Sequence, residues 1–407
     1  MRFEIIFTIL FAVASIVALL ARRLSVPYTV ALMVTGIVLG TLPFISPPSL
    51  TKELLYAVIL PGLLFEAAFH LDASKFWQSK WTITALAIPG VVVSTGLTAF
   101  LLAMSARVLA PNSGFTFQHA LVFSALISAT DPIAVVALFK TLGAPSRLAT
   151  LVEGESLLND GTAVVLFTLI LGMVSGGSLS LGTAALDFVR MVGMGALVGL
   201  LLAYAVSRLI QLVDDPMIEI TLTMVVAYGS FATAEQLHYS GVIATVAAGM
   251  LCGNYAARPG MRPSTRVAVE TFWEYVAFAL NSIVFLLIGF EVRSGTLLAS
   301  WRPILAAYLA VLAARTVVIA AVTWMLRFTV EAVPWSWAAV LTWGGMRGAL
   351  SMVLALSLVS GYPHRDTIVA MTFGVVTLSI LIQGLSAGPL LRLLQLARRD
   401  KNRRSDS

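Results

Sequence analysis

The sequence predicts an all-α polytopic membrane protein with about thirteen transmembrane helices, arranged as two inverted six-helix repeats. Three observations predict this fold class: the apolar composition, the number of apolar stretches, and helix breaks at matching positions of the two halves. Of the 407 residues, 59% are hydrophobic and 11% are charged, and the mean hydropathy is +0.94. About 20 apolar residues cross a ~30 Å hydrocarbon core as a helix. Stretches of this kind make up well over half of the chain.

The spans are delimited by the polar and charged residues between the apolar stretches. The first stretch is followed by Arg22 and Arg23 and lacks a small-residue cleavage site, so we interpret it as a retained span rather than a removed signal peptide. In order, the predicted spans cover residues 3–21, 25–41, 53–70, 81–106, 117–139, 148–176, 183–210, 217–235, 240–256, 272–291, 303–327, 335–360 and 367–391.

The charges in the loops predict the orientation. An odd number of spans puts the two termini on opposite sides of the membrane. With a cytoplasmic C-terminus, eleven Lys and Arg residues lie in inside loops and six lie outside, before a short basic tail at 392–407 is counted. Because cytoplasmic loops are enriched in Lys and Arg, we predict a cell-membrane protein with its N-terminus outside and its C-terminus in the cytoplasm.

The remaining composition excludes several kinds of partner. The net charge of +6 is spread over loops and does not indicate nucleic acid. The single cysteine, Cys252, excludes an internal disulfide, and no Cys/His cluster indicates a metal centre. We therefore expect no cofactor, and membrane lipid as a partner.

The fifth predicted span contains a helix break beside an acid. In Ser128-Ala-Thr-Asp-Pro132 a proline directly follows Asp131. Proline removes a backbone donor and disfavours helical geometry in the preceding residue, so we expect a break near Thr130 and Asp131. Broken backbone survives at membrane depth only where it lines a cavity or is covered by protein. A plain proline kink is the alternative, and the adjacent acid favours a site.

The twelfth span carries a second interruption, Gly344-Gly-Met-Arg-Gly348. Spans five and twelve are seven apart, as expected if spans one to six and eight to thirteen are repeats of opposite orientation. Paired interruptions of this kind indicate a transporter site near the membrane midplane. Because half-helix ends carry partial charges, Asp131 is predicted to compensate a positive end and Arg347 a negative end.

The sixth span carries the densest cluster of polar residues, Glu153-Gly-Glu-Ser-Leu-Leu-Asn-Asp-Gly161. Asp160 lies about a dozen residues into the span, or roughly 18 Å at 1.5 Å per residue, near the middle of the membrane. Residues four apart share a helix face, so Ser156 and Asp160 form one stripe, and Glu155 and Asn159 form a neighbouring one. Charge at this depth indicates function; the alternative is a structural ion pair at a helix start.

Three further charged residues fall inside or near the predicted membrane. Arg315 lies midway along span eleven and requires an acid, and Glu155 is the predicted partner because it lies off the Asp160 stripe. Glu66 of span three either faces the same cavity as Asp160 or extends to cytoplasmic water. Glu153 is predicted to line an entrance on the cytoplasmic side.

These motifs resemble those of the sodium–proton antiporters of the NhaP and NHE type, in order and over nearly the whole chain. The resemblance is carried by Ser128–Val135, Glu153–Gly161, Phe285-Leu-Leu-Ile-Gly289 and Gly344–Gly348. It implies unwound helices five and twelve that cross in a mobile core at about 81–176 and 303–391. It also implies a dimerisation scaffold at about 1–80 and 217–291, a linker helix at about 183–210, and usually a homodimer.

The resemblance also implies roles for individual residues. Asp160 would carry the proton and the cation in turn, and Glu155 with Arg315 would form an ion pair of the core. An Asn before the Asp resembles the electroneutral branch. The residues assigned in this way to cation and proton binding are Asp160, Asp131, Thr130, Ser156, Asn159 and Glu66.

Physical chemistry supports exchange rather than catalysis, so we expect a transporter and not an enzyme. Burial disfavours a charged carboxylate, and a proton and a cation can therefore compete for Asp160. Oxygen ligands from Asp160, Asp131, Ser156 and Thr130 suit Na⁺ or Li⁺, with K⁺ as the alternative ion. A cation channel is a rival function. An intramembrane aspartyl protease is another, but it gives the buried arginines and paired breaks no role.

Overall fold

The computed structural model of the protein describes residues 3–24, 26–41, 51–112, 114–174, 176, 181–256, 261–291 and 299–396. These residues form helices joined by turns and short connections. The end of the predicted basic tail, 397–407, lies outside the described residues. We number the helices α1 to α13 by the span that each forms.

The first seven helices match the predicted spans, and the fifth is broken. A short helix, Ala73–Gln78, connects α3 to α4. The helices are α1 (Phe3–Leu24), α2 (Tyr28–Gly40), α3 (Leu55–His70), α4 (Lys80–Leu109), α5a (Phe117–Leu126), α5b (Ile133–Leu142), α6 (Ser146–Val174) and α7 (Leu181–Ile210).

The second half repeats the pattern, and here the twelfth helix is broken. The helix bends by 43° between its two halves. The helices are α8 (Pro216–Gln236), α9 (Gly241–Ala256), α10 (Pro263–Glu291), α11 (Trp301–Leu326), α12a (Trp335–Gly344), α12b (Ala349–Leu356) and α13 (Arg365–Leu393).

The predicted fold class is confirmed. Within the described ranges, seven helices are long and apolar enough to cross a membrane alone, and the bent pair α12a–α12b makes an eighth crossing. Shorter apolar helices supply the others, which include both halves of α5. The chain is an all-α membrane protein of thirteen spans in two inverted six-helix repeats, with discontinuous helices five and twelve.

The helices pack in two groups that meet at α6. On one side α4 packs against α5a and α11, and α13 packs against α11 and α12b. On the other side α2 lies along α10, and α9 packs against α3, α7 and α8. A separate apolar cluster fills the second group, with Trp273 among its fully buried members. The division into a mobile core and a scaffold stays a prediction.

One predicted boundary is wrong by nine residues: α10 begins at Pro263 and not at 272. Proline is favoured in the first turn of a helix, where its missing N–H is not needed. Arg266 then forms an ion pair with Glu270 four residues on, at 2.7 Å, which supports the polar first turns. Hydropathy finds the apolar part of a helix and misses such an extension.

Candidate functional site

The two helix breaks meet in the middle of the protein. The backbone N–H of Asp131, in the first break, donates to the carbonyl of Met346, in the second, at 2.7 Å. The Arg347 guanidinium Nη1 donates to the carbonyl oxygens of Ser128, at 2.5 Å, and Ala129, at 3.1 Å. These carbonyls follow the C-terminal end of α5a, so the positively charged Arg347 side chain lies at the negative end of a half-helix.

Asp131 lies at the opposite kind of helix end. Its Oδ1 accepts from the backbone N–H of Ile133, the first residue of α5b, at 3.1 Å. A negative side chain is stabilised at such an N-terminus. Gly348 lies against the same carboxylate, and a Cβ at this position would overlap it. The glycine therefore lets the second break approach Asp131.

A cavity of about 130 Å³ opens beside the crossing. One wall consists of the first break, α6 and the start of α12b, and the other wall consists of α3 and α10. Its lining includes Glu66, Thr130, Asp131, Glu153, Ser156, Asp160 and Asn281. The volume is enough for a few water molecules or a partly hydrated ion, since water occupies about 30 Å³ per molecule in the liquid.

The Ser156–Asp160 stripe of α6 faces this cavity. Ser156 Oγ donates to the carbonyl of Thr130 at 2.5 Å, which ties α6 to the first break. The Thr130 backbone also lies beside the Asp160 carboxylate. Asp160 Oδ1 is buried and has no hydrogen-bond partner among the described residues. This oxygen is therefore available to a proton or a cation.

The neighbouring stripe of α6 faces away from the cavity. Glu155 accepts from both terminal nitrogens of Arg315, at 3.1 and 3.0 Å. Arg315 also donates to the carbonyl of Leu341, near the end of α12a, at 2.9 and 3.2 Å. Arg315 thus stabilises the negative end of α12a, the first half of the second broken helix, as Arg347 stabilises that of α5a in the first.

Asn159 is placed differently from its assignment to the cation site. Its side-chain amide donates to the Ser128 carbonyl at 3.1 Å and to Thr130 Oγ1 at 3.0 Å, and it reaches Glu155 at 3.4 Å. It lines a separate, smaller cavity with Glu155 and Arg315. The physical reason is helical periodicity, since Asn159 is about 100° round the helix from Asp160. Asn159 therefore holds the first break in place through Ser128 and Thr130, on the side of the smaller cavity.

Glu66 and Glu153 line the cavity from its two walls. Glu66 also accepts from His70, one turn further along α3, with Nδ1 and Oε1 3.2 Å apart. The Glu66 side chain lies at the cavity that Asp160 also lines, and 23% of it is exposed. Both carboxylates are only partly buried, whereas Glu155 is almost fully buried.

Sequence reasoning missed two contributors to this arrangement. One is Asn281 of α10, which lines the same cavity as Asp160. A polar residue inside an otherwise apolar span was a signal for it. The other is Glu331, before α12a, which accepts from the backbone N–H groups of Trp81, at 3.3 Å, and Thr82, at 2.8 Å, at the start of α4. No sequence spacing connects residues so far apart in the chain.

The donor atoms at the cavity are suited to an alkali cation. Carboxylate, hydroxyl and backbone oxygens are hard ligands, which prefer Na⁺ or Li⁺ to soft metals. Within the described ranges, no group of three or more His, Cys, Asp or Glu residues could hold a metal ion. The arrangement offers one buried carboxylate oxygen, Asp160 Oδ1, that has no hydrogen-bond partner among the described residues, with further oxygen atoms on the same cavity.

Comparison with known proteins identifies the family. The sequence model described as sodium/hydrogen exchanger, transmembrane, matches residues 9–393. The chain is 36% identical over 397 residues to the Na⁺/H⁺ antiporter ApNhaP of Aphanothece halophytica, covering 97% of this chain and 75% of that protein. It is 39% identical over 350 residues to the Na⁺/H⁺ antiporter NhaP of Pseudomonas aeruginosa, covering 84% and 81%.

A solved structure shares the fold. The sodium proton antiporter MjNhaP1 from Methanocaldococcus jannaschii superposes with a TM-score of 0.76 at 21% identity, covering 95% of this chain and 97% of that chain. The match along almost the whole sequence agrees with the family that the sequence motifs of the two breaks and of α6 resemble. The chain belongs to the sodium/hydrogen exchanger family of membrane antiporters.

Proposed function

We propose that this protein exchanges Na⁺ or Li⁺ for H⁺ across the cell membrane by alternating access, and that Asp160 binds the proton and the cation in turn. The observation that carries the proposal is the Asp160 carboxylate. It lies halfway along α6, about 21 Å from Ser146 at 1.5 Å per residue, and lines the cavity. Its Oδ1 lacks a hydrogen-bond partner among the described residues.

The neighbouring oxygens supply the rest of the proposed site. Asp131 and the hydroxyl of Ser156 line the same cavity, and Thr130 contributes its backbone. Burial disfavours an isolated carboxylate charge, so Asp160 is stabilised by either a proton or a cation. Because the two ions share one carboxylate, binding of one displaces the other. This competition couples the two fluxes.

In this proposal the helices around the breaks form the moving part. The core at about 81–176 and 303–391 moves against a scaffold at about 1–80 and 217–291, and two copies of the chain associate through their scaffolds. The N-terminus lies outside and the C-terminus in the cytoplasm. No cofactor takes part, and the partners are lipid, protons and monovalent cations.

The test uses purified protein in liposomes that contain a pH-sensitive dye. An imposed Na⁺ gradient should drive protons in the opposite direction, and Li⁺ should replace Na⁺. Asp160→Asn should abolish this movement while leaving folded protein in the membrane. Asp366→Asn removes an exposed carboxylate at the start of α13 and serves as the matched control.

Three results would count against the proposal. Cation-dependent proton movement that survives in Asp160→Asn contradicts the role of the shared carboxylate. A current in the absence of a proton gradient indicates a cation channel. Stronger exchange with K⁺ than with Na⁺ indicates a K⁺/H⁺ antiporter of the same fold.

A further inference from the structure

Asn281 is a buried polar side chain whose amide oxygen, Oδ1, has no hydrogen-bond partner in the described part of the chain. It lies in α10 and is 9% exposed. Buried polar atoms nearly always have a partner, and an orphan in a native structure calls for an explanation. Because Asn281 lines the cavity, an ion or molecule in the cavity can supply the partner.

The position of Asn281 relates it to Asp160. Asn281 lies ten residues before the end of α10 at Glu291, or about 15 Å at 1.5 Å per residue. Asp160 is at the middle of α6, so both side chains lie near the middle of the membrane. They line the same cavity, Asp160 from α6 and Asn281 from α10.

The wall formed by α3 and α10 is mostly apolar. In the described part of the chain it contributes Leu60, Leu63, Leu64 and Ala67 to the cavity, with Glu66 and Asn281 as its polar side chains. Glu66 is partly exposed and is paired with His70. On this wall, Asn281 Oδ1 is therefore the buried oxygen that has no partner among the described residues.

We propose that Asn281 is a specificity-determining residue that contributes its Oδ1 to the oxygen shell of the cation bound at Asp160. This inference rests on the proposed exchange at Asp160 and names a further ligand for it. An amide oxygen is a neutral hard ligand, which adds to cation binding without adding charge. Because α10 belongs to the proposed scaffold and Asp160 to the proposed moving core, the contact exists in the state with this cavity open. It is lost when the core moves away.

The experiment compares Asn281→Leu with the unchanged protein in the liposome assay. Leucine has a similar size and removes the oxygen. Loss of a cation ligand should raise the Na⁺ concentration for half-maximal exchange about tenfold, equivalent to about 1.4 kcal/mol of binding free energy. The maximal rate should fall much less, since a lost ground-state contact acts on KM. The preference for Na⁺ over K⁺ should also decrease.

A second readout separates ion binding from a structural role. Na⁺ should raise the thermal stability of the unchanged protein, because a ligand of the folded state stabilises it. In Asn281→Leu this stabilisation should require about tenfold more Na⁺. Without Na⁺ the variant should be at least as stable as the unchanged protein, since it removes a buried orphan. If leucine prevents folding, Asn281→Ala replaces it, because it removes the amide without adding volume.

The matched control is Thr29→Val. Thr29 lies in α2, which packs along α10, and is 3% exposed with an Oγ1 that has no partner in the described ranges. It is not part of the cavity lining, so the Na⁺ dependence should stay unchanged. A tenfold shift in this control as well would show a general packing effect and overturn the inference.

The remaining outcomes separate this inference from the proposed function. If Asp160→Asn is inactive but Asn281→Leu keeps the Na⁺ dependence of the unchanged protein, Asn281 binds cavity water alone and the inference is wrong. If the unchanged protein shows no Na⁺-driven proton movement, or Asp160→Asn retains it, the exchange proposal itself fails. A tenfold shift confined to the Asn281 variants supports both.

Discussion

At the scale of single residues, Arg315 has two tasks. It forms a two-bonded ion pair with Glu155 and also donates to the Leu341 carbonyl at the end of α12a. Both charged side chains are largely buried, with 11% and 4% of their surfaces exposed. Loss of either partner leaves the other as an unpaired charge in the membrane interior. A buried charge of this kind is strongly destabilising.

Glu155→Gln and Arg315→Ala should therefore each lower the free energy of unfolding by about 3–5 kcal/mol. The arginine variant should be the more destabilised, because it also leaves the Leu341 carbonyl without a donor. The double variant should lose much less than the sum of the two. Thermal unfolding of all four proteins in the same detergent gives the coupling energy. Additive losses would show that the pair does not act as a unit.

At the scale of the elements, two adjacent glycines in the second break differ in what surrounds them. A Cβ at Gly345 would overlap the Arg315 guanidinium, which is held by Glu155 and Leu341. A Cβ at Gly344 would meet Val135 at 3.5 Å, an ordinary contact distance. The break needs glycine at one position for close approach and tolerates a side chain at the other.

Gly345→Ala should displace Arg315 and lower the thermal stability nearly as much as Arg315→Ala does. Gly344→Ala, at the end of α12a, should leave stability unchanged or raise it slightly, since alanine is the better helix former. Unfolding temperatures of the two variants, measured side by side, test the difference. Equal effects at both glycines would contradict the close approach of Arg315 to the break.

The elements also show what the sequence could predict. Hydropathy located the thirteen spans, and Pro132 and the glycines of 344–348 located the two breaks, because these are local properties of the chain. The extent of α10 was missed because its first turns are held by the Arg266–Glu270 ion pair rather than by apolar residues.

The candidate site could be predicted only in part, for a related reason. Helical periodicity placed Asp160 and Ser156 on one stripe, and the structure puts both at the cavity. The same periodicity separates Asn159 from them, although the resemblance had grouped it with the cation site. The place of Asn281 at the cavity depends on which helices are neighbours in space. The separation of Asn281 from Asp160 along the chain gives no indication that the two residues line the same cavity.

At the scale of the whole molecule, the proposed exchange should be electroneutral. Glu155 is held by Arg315, and Asp131 lies at the N-terminus of α5b. Asp160 is then the one carboxylate that changes its occupant in each cycle. One proton should exchange for one cation. The competing account is that Glu66 or Glu153, which also line the cavity, carries a second proton.

Liposomes with an imposed membrane potential distinguish the two accounts. Valinomycin and K⁺ set the voltage, and Na⁺ is the substrate. The ratio of Na⁺ gradient to proton gradient at which net exchange stops should be the same at every voltage. A stopping point that moves with voltage would mean more than one proton per cation. Glu66→Gln and Glu153→Gln should then restore voltage independence if either residue carries the second proton.

The buried charges at the crossing have a consequence for which ions the protein carries. Apart from Glu66 and Glu153, which also line the cavity, the described residues near the crossing include three carboxylates, Asp131, Glu155 and Asp160, and two guanidinium groups, Arg315 and Arg347. In the proposed exchange, an empty Asp160 would leave one negative charge of this group uncompensated, and moving that charge through a medium of low dielectric constant would be costly. One proton or one monovalent cation neutralises the group. A divalent cation would leave it positive, so we expect the proposed site to select monovalent over divalent cations.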